Sequence, residues 1–333
     1  MTKLIVVVGA TGKQGGSVAT TFLGLPEWHV RAVTRKPDSP AAQALAKAGA
    51  EVVQADLADE DLGPLKAAFE GAHAIFVNTD FWEVYRPAAT ALVAAGKDAA
   101  PAGRQAFDHE TACRKHAADA AATIPTLERF VLSSLTSLVG GSLDPSKFTR
   151  SFHPESKNWG VEYIETQVPA LAPKLSVIVP AAYNTNRLMV PRKVGDAYTF
   201  FSPIHPHIHI PTINPDTGVG PFVRCLVEDE PAGTKLLAYD SNQTISEAVD
   251  IFKRVTGHEA AFVPVTTQQL VAAGGTWEVL GVVDYLNEHD AYERGEPGYI
   301  KPVGLKNAPL RPSFEDWAKT VDWEAAIAAN AAR

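Results

Sequence analysis

The sequence predicts a doubly wound α/β fold built on a parallel sheet, and three observations carry that expectation. Short apolar runs rich in β-branched residues recur from the N-terminus, stretches of helical character separate them, and a glycine-rich turn joins the first run to the first helix. Strands covered on both faces read as unbroken hydrophobic runs, whereas strands with one wet face alternate.

In chain order, the run L-I-V-V-V from residue 4 forms the first strand and residues 14–23 the first helix. H-V-R-A-V-T-R and a helix over 40–48 come next, then E-V-V-Q-A-D and a helix over 61–70. H-A-I-F-V-N-T is the fourth strand, an alanine-rich stretch around 111–122 the helix after it, and R-F-V-L-S-S the fifth strand. The glycine and proline of residues 95–105 read as a mobile loop. Past residue 140 come a loop G-G-S-L-D-P, a helix over 157–166 and a last buried strand, L-S-V-I-V-P. After Pro180 turn residues become frequent. K-L-L-A-Y-D, a helix over 245–256 and A-F-V-P-V then alternate too irregularly to extend the sheet, and predict a smaller lobe over its carboxyl edge.

Composition excludes several classes. The 333 residues are 46% hydrophobic and 20% charged, as in an ordinary globular chain. The formal net charge of −8, with no segregated basic run, speaks against direct binding of nucleic acid. The opening apolar run is too short for a secretory core or a membrane span. Cys113 and Cys225 stand apart and outside any C-x-x-C pattern, so they read as small buried hydrophobes in a reducing compartment, cytoplasmic or also nuclear.

Gly9-Ala-Thr-Gly12-Lys-Gln-Gly15-Gly16 sits between a strand and a helix. Glycines there let the backbone turn tightly and approach a pyrophosphate, whose charge is met by amides at the helix N-terminus, so the motif predicts dinucleotide binding. The second strand ends in Thr34-Arg35-Lys36 rather than in an acidic residue that would accept ribose hydroxyls. A guanidinium can hold a 2′-phosphate bidentately, so the expected cofactor is NADP(H). Asp56, ending the third strand, is either a partner for the adenine amino group or a helix N-cap.

On these blocks the chain resembles the NmrA-like family of atypical short-chain dehydrogenases. The resemblance runs through G-A-T-G-K-Q-G-G-S-V-A, V-R-A-V-T-R-K-P, H-A-I-F-V-N-T-D-F-W-E and F-V-L-S-S to F-H-P-E-S-K-N-W-G-V-E-Y-I, V-I-V-P-A-A-Y-N-T-N, F-F-S-P-I-H-P-H-I-H-I-P and F-E-D-W-A-K-T. The segment between Trp82 and Glu110 is longer than the family leads one to expect. The resemblance implies a Rossmann-type NADP(H)-binding domain, here 1–185, and an irregular α+β lobe for substrate or partner, here 186–333, parts of which pack back on the first domain. It implies that the cofactor touches Gly9, Thr11, Gly12, Lys13, Gln14, Gly15, Arg35, Lys36, Asp56, Asn78, Thr79, Lys157 and Pro180, with Tyr183 and Asn184 near the nicotinamide.

Ordinary short-chain dehydrogenases carry Tyr-x-x-x-Lys on one helix face, where four-residue spacing brings both side chains together. Here the tyrosine position is His153 and the lysine is Lys157. Pro154 between them places His153 at or just before the helix start. The serine expected from the fifth strand is Ser133 or Ser134. Two roles follow from the resemblance. In a reductase, Lys157 holds the ribose and serves as general acid, with Ser134 beside it and His153 as a second proton carrier. In a redox sensor or transcriptional co-regulator, Lys157 is only a cofactor ligand and His153 a structural residue.

Other groups carry less. His205, His207 and His209 alternate as on one face of a strand, open to a metal, to substrate lining or to no role; no carboxylate or cysteine completes a metal pattern, and none is expected. Trp82, Glu83 and Tyr85 either edge the substrate pocket or anchor a lid. Trp277, Trp317 and Trp323 read as core of the second lobe. The overall expectation is an NADPH-dependent reductase of a small carbonyl, imine or conjugated alkene, with the sensor as its rival. Its partners are a small-molecule substrate, a protein should the role be regulatory, and a second copy in an open question of dimerisation; neither nucleic acid nor membrane is expected.

Overall fold

The apolar runs become strands because their alternate residues are buried on opposite sides. In the computed structural model, which describes residues 2–142, 144–272, 276–289 and 297–331, the first half of the chain is β1 (Lys3–Val8), α1 (Lys13–Leu23), β2 (Trp28–Thr34), α2 (Pro40–Lys47), β3 (Glu51–Gln54), α3 (Gly63–Phe69), β4 (Ala74–Val77), α4 (Trp82–Ala94), α5 (Ala100–Ala121), β5 (Arg129–Ser133), α6 (Leu138–Gly141), α7 (Phe152–Gln167) and β6 (Leu175–Pro180). The second half supplies β7 (Ala182–Tyr183), β8 (Arg192–Val194), β9 (Ala197–Ser202), β10 (His209–Ile213), α8 (Val219–Glu228), β11 (Lys235–Ala238), β12 (Ser241–Thr244), α9 (Ile245–Thr256), β13 (Ala260–Pro264), α10 (Thr267–Ala272), α11 (Trp277–His289), β14 (Tyr299–Ile300) and the helices Phe314–Thr320 and Trp323–Ala331.

Eight strands form one parallel sheet in the order β14-β11-β6-β5-β4-β1-β2-β3. Val6 and Val8 of β1 face a core closed by Phe69, Ala117, Ala121, Val161 and Ile164 from α3, α5 and α7. Ile5 and Val7 face the other way, against Val18, Phe22, Phe222, Val223 and Leu226 from α1 and α8. Burying a side chain such as Phe22 contributes about 1.5–3 kcal/mol, so both layers are needed to hold the sheet. The connections from β1 run outward through β2 to β3, those from β4 through β5 to β6. The crevice between the carboxyl ends of β1 and β4 is therefore the switch point, where ligands of open α/β sheets bind.

Two small sheets, β12-β10-β7 and β13-β9-β8, lie in the second half. Its core gathers Phe200, Phe252, Phe314 and Trp317, with Trp323 packed edge-on against Phe252 at 5.0 Å. Trp317 and Trp323 thus occupy the core expected of them, while the Trp277 side chain lies outside the described residues. Both cysteines are buried. No helix among the described residues is long and apolar enough to cross a membrane.

Three expectations are corrected. K-L-L-A does extend the sheet, since β11 pairs in parallel with β6 and β14 with β11; the connections are irregular, but the strands are apolar enough to be covered. Residues 95–105 are not one loop, because α5 begins at Ala100 with Pro101 in its first turn, where a missing N–H costs nothing, and Asp98 Oδ1 accepts the Ala100 amide at 2.8 Å. The long segment after Trp82 is accordingly a helix pair, α4 and α5. The three histidines share no strand face: His205 and His207 stack at 5.8 Å in the turn before β10, and only His209 enters the strand.

Candidate functional site

The glycine loop is shaped by its own backbone. Gly9 has φ +75°, a conformation that favours glycine, and a Cβ at Gly15 would run into the Gly9 carbonyl. Gly12 caps α1 without a side-chain hydrogen bond, and the first turn holds no acidic residue. The Gly12 amide donates to the Gly9 carbonyl at 3.0 Å, while the amides of Lys13, Gln14 and Gly15 in the first turn have no intrahelical acceptor and can meet an anion. Lys13 Nζ meets Asp216 at 2.9 Å across the crevice mouth. Gln14 turns inward: its Nε2 donates to the Tyr183 hydroxyl at 2.8 Å and its Oε1 accepts from Ser133 Oγ at 2.7 Å, tying α1 to β5 and β7.

At the end of β2, Arg35 Nη1 lies 2.7 Å from Glu83 Oε1 of α4, and that hydrogen bond holds the guanidinium firmly charged. Lys36 follows, its amide donating to Thr34 Oγ1 at 3.2 Å. Asp56 Oδ1 accepts the Ala58 amide at 3.0 Å in a local turn. It does not cap the next helix, whose N-cap is Leu62; of the two readings of Asp56, the capping one is removed.

Lys157 lies at the centre of the buried polar cluster. Its Nζ donates to the Thr79 carbonyl at 2.9 Å and to Glu110 Oε1 at 2.8 Å, with the two side chains 9% and 1% exposed. Thr79 Oγ1 donates to the same oxygen at 2.6 Å, and Ser156 Oγ donates to Glu110 Oε2 at 2.5 Å. Burial disfavours ionising Glu110, but the charges of Lys157 and Arg114 outweigh it and bring the carboxyl down to about 2. Burial also lowers the Lys157 ammonium, with Glu110 opposing. Two of the three ammonium protons are bound, which leaves one for a ligand.

Arg114 is fully buried beneath this group, giving Nη2 to the Ser133 carbonyl at 2.7 Å and Nη1 to the Lys157 carbonyl at 3.2 Å. Ser134 Oγ also donates to the Lys157 carbonyl, at 2.9 Å, so its hydroxyl is engaged with backbone. His153 is the second residue of α7, as Pro154 requires. Its half-buried ring packs against Trp82 at 4.8 Å and Phe81 at 5.1 Å. Burial and the neighbouring Lys157 push its pKa down to about 3, so it is neutral at ordinary pH. The α7 N-terminus is held from α11: Glu278 Oε2 accepts the His153 amide at 2.8 Å, and burial raises that carboxyl to about 7.

The structure thus brings the glycine loop, Gln14, Thr79, Ser133, Ser134, Lys157 and Tyr183 to one crevice, with Arg35 and Asp56 at its outer end. Asn78 Oδ1 and Asn184 Oδ1 are buried there without a hydrogen-bond partner, acceptors suited to a ligand's amide or hydroxyl. Among the described residues no three His, Cys, Asp or Glu side chains group as metal ligands. Glu110, Arg114 and Glu278 are absent from the expected set; Glu110 and Arg114 stand at four-residue spacing in α5, but so do Arg104 and Asp108 and Lys115 and Asp119, which pair near the surface, so the spacing did not set them apart.

The sequence model of the NmrA-like family matches residues 1–331. An NmrA-like family domain-containing oxidoreductase, FrzB of Cladobotryum sp, is 54% identical over 78 residues, which cover 23% of this chain and 23% of that protein. A second such oxidoreductase, hkm9 of Aspergillus hancockii, is 50% identical over 88 residues, 26% of each. The matched stretches therefore span about a quarter of these relatives' length. Among solved structures, the negative transcriptional regulator NmrA in complex with NADP superposes with a TM-score of 0.70 at 20% identity, covering 99% of this chain and 98% of that one. The leucoanthocyanidin reductase–NADPH complex from Vitis vinifera gives 0.66 at 14% identity, over 98% and 99%. Both share the fold described above.

Proposed function

This protein belongs to the NmrA-like family, and from that premise we propose that it binds NADP(H) and reduces a small carbonyl, imine or conjugated alkene. Partial relatives named as oxidoreductases and fold neighbours solved with NADP or NADPH support this reading. Gly9, Thr11, Gly12, Lys13, Gln14 and Gly15 would receive the pyrophosphate, Arg35 and Lys36 the 2′-phosphate, and Asp56 the adenine. Asn78, Thr79, Pro180, Tyr183 and Asn184 would surround the nicotinamide end. Residues 1–185 form most of the nucleotide-binding part, and those segments of 186–333 that do not pack back on the sheet, as α8, β11 and β14 do, would cover the substrate.

When bound, NADPH supplies the hydride; orientation and the proton fall to the chain. The observation that carries the reading is the buried Lys157 ammonium, fixed by Glu110 and the Thr79 carbonyl with one proton to spare. From there it would orient the ribose and hand a proton to the substrate atom that gains electron density, a carbonyl or enolate oxygen or an imine nitrogen, directly or through one water. His153, neutral and packed on Trp82, orients the aromatic wall rather than carrying that proton, and Ser134 fixes the backbone of α7. Trp82 and Tyr183 would grip an apolar substrate.

A second reading has its own observation: the position four residues before Lys157 holds a histidine that burial keeps neutral, so no phenolic acid stands beside the lysine on α7. That favours a protein that binds the nucleotide and reports its redox state through partners. NADPH consumption over a panel of aldehydes, ketones, imines and enones, beside Lys157→Met, separates the two. Turnover lost in the variant is the expected result. A silent panel, in protein that binds NADPH by calorimetry, selects the sensor.

A further inference from the structure

Arg35 is the group that the cofactor reading assigns to the 2′-phosphate, yet its guanidinium already has a partner. Glu83 Oε1 sits 2.7 Å from Nη1, and the pair is half-exposed, with side-chain exposures of 51% and 44%. Asp56 and Asp80 add negative charge around the same guanidinium. Glu83 belongs to the first turn of α4, next to Trp82, so its place is set by a helix rather than by a flexible loop.

A phosphate gripped in bidentate fashion uses two N–H groups on one edge of the guanidinium. Glu83 holds only Nη1, so a dianion arriving there either takes the remaining Nε–Nη2 edge or draws Arg35 from Glu83, and in both cases it sits close to that carboxylate. A ribose 2′-hydroxyl is neutral and meets no such repulsion. We propose that Glu83 is a specificity-determining residue: its pairing with Arg35 restrains the preference for a 2′-phosphorylated dinucleotide, so the crevice takes NADH and NADPH with closer affinities than Arg35 and Lys36 alone would give. This rests on the NADP(H) reading of the site.

Because the pair is partly exposed, the effect is modest; losing the competition and the like-charge repulsion amounts to roughly three- to ten-fold in affinity. Titration calorimetry with NADPH and with NADH, on the full chain and on Glu83→Gln and Arg35→Ala, tests it, with thermal melts to establish that each variant is folded. Glu83→Gln should tighten NADPH about three- to ten-fold and leave NADH within about two-fold, a gain that shrinks as salt is raised. Weaker NADPH binding in Glu83→Gln would mean that the carboxylate preorganises Arg35 and would overturn the proposal, as would an equal change for both nucleotides, which marks a general effect on α4. Arg35→Ala should weaken NADPH about ten-fold or more against NADH. If it does not, Arg35 does not hold the 2′-phosphate and the underlying reading fails; if it does while Glu83→Gln is neutral, only the role of Glu83 fails.

Discussion

Lys157 of α7 donates to Glu110 of α5 at 2.8 Å with both side chains buried, 47 residues apart in sequence. Each charge is kept in the interior by the other, and removing one partner of such a pair commonly costs about 3–5 kcal/mol because the survivor is left uncompensated. Glu110→Gln keeps the shape and removes the charge. The variant is expected to unfold earlier in urea by about 3 kcal/mol. The acidic form of Lys157 should then be lost at lower pH, moving the alkaline limb of the pH profile for kcat downward. A profile that keeps its alkaline limb would dissociate Glu110 from the lysine's protonation.

Glu278 makes stability depend on pH in the opposite sense from an ordinary carboxylate. Its folded-state value of about 7 lies above the ordinary 4.5, so the folded chain binds the proton more tightly than the unfolded chain. The stability linked to that proton is full below about 4.5 and is lost as pH rises through about 7, by up to about 3 kcal/mol. Glu278→Gln cannot lose a proton. Its melting temperature relative to the wild type should therefore rise between pH 5 and 8. In both proteins a shallower fall of stability with pH comes from Asp240, whose burial raises it to about 6, and it cancels in the difference. Parallel melting curves across that range would refute the assignment.

Gly160 is where α7 passes over Arg114. A Cβ there would lie 2.8 Å from Arg114 Cδ and 3.1 Å from Nη1, and the guanidinium cannot yield without leaving the carbonyls of Ser133 and Lys157. Gly160→Ala gains about 1 kcal/mol of helix propensity, while overpacking a buried site costs about 1–3 kcal/mol. The displaced hydrogen bonds add to that cost, so net destabilisation of about 1–2 kcal/mol in denaturant unfolding is expected. A neutral or stabilising result would mean that α7 can lift away from Arg114.

Much of this architecture could be read from the chain. Residues such as Ile5, Val6, Val7 and Val8, apolar at consecutive positions, require a strand covered on both faces, and Gly9 to Gly15 require a tight turn. Arg35 was legible because it stands at the end of the second strand, and Lys157 through the resemblance to the Tyr-x-x-x-Lys pattern of short-chain dehydrogenases. Glu110 and Glu278 were not, and Glu83 was legible only as a residue at a pocket edge or lid and not as the partner of Arg35, since a carboxylate's meaning depends on what faces it. Each faces a residue far away in sequence.

The sequence by itself determined the parallel sheet, the glycine turn after its first strand and the charges offered to a dinucleotide, because hydrophobic period, glycine and local offsets act over a few residues. Only the tertiary structure decided the rest: that Arg35 is shared with Glu83, that His153 is neutral between Trp82 and Lys157, that Lys157 rests on Glu110, and that β11 and β14 complete the sheet. Desolvation and ion pairing are set by neighbours in space, and those neighbours come together only when the chain has folded.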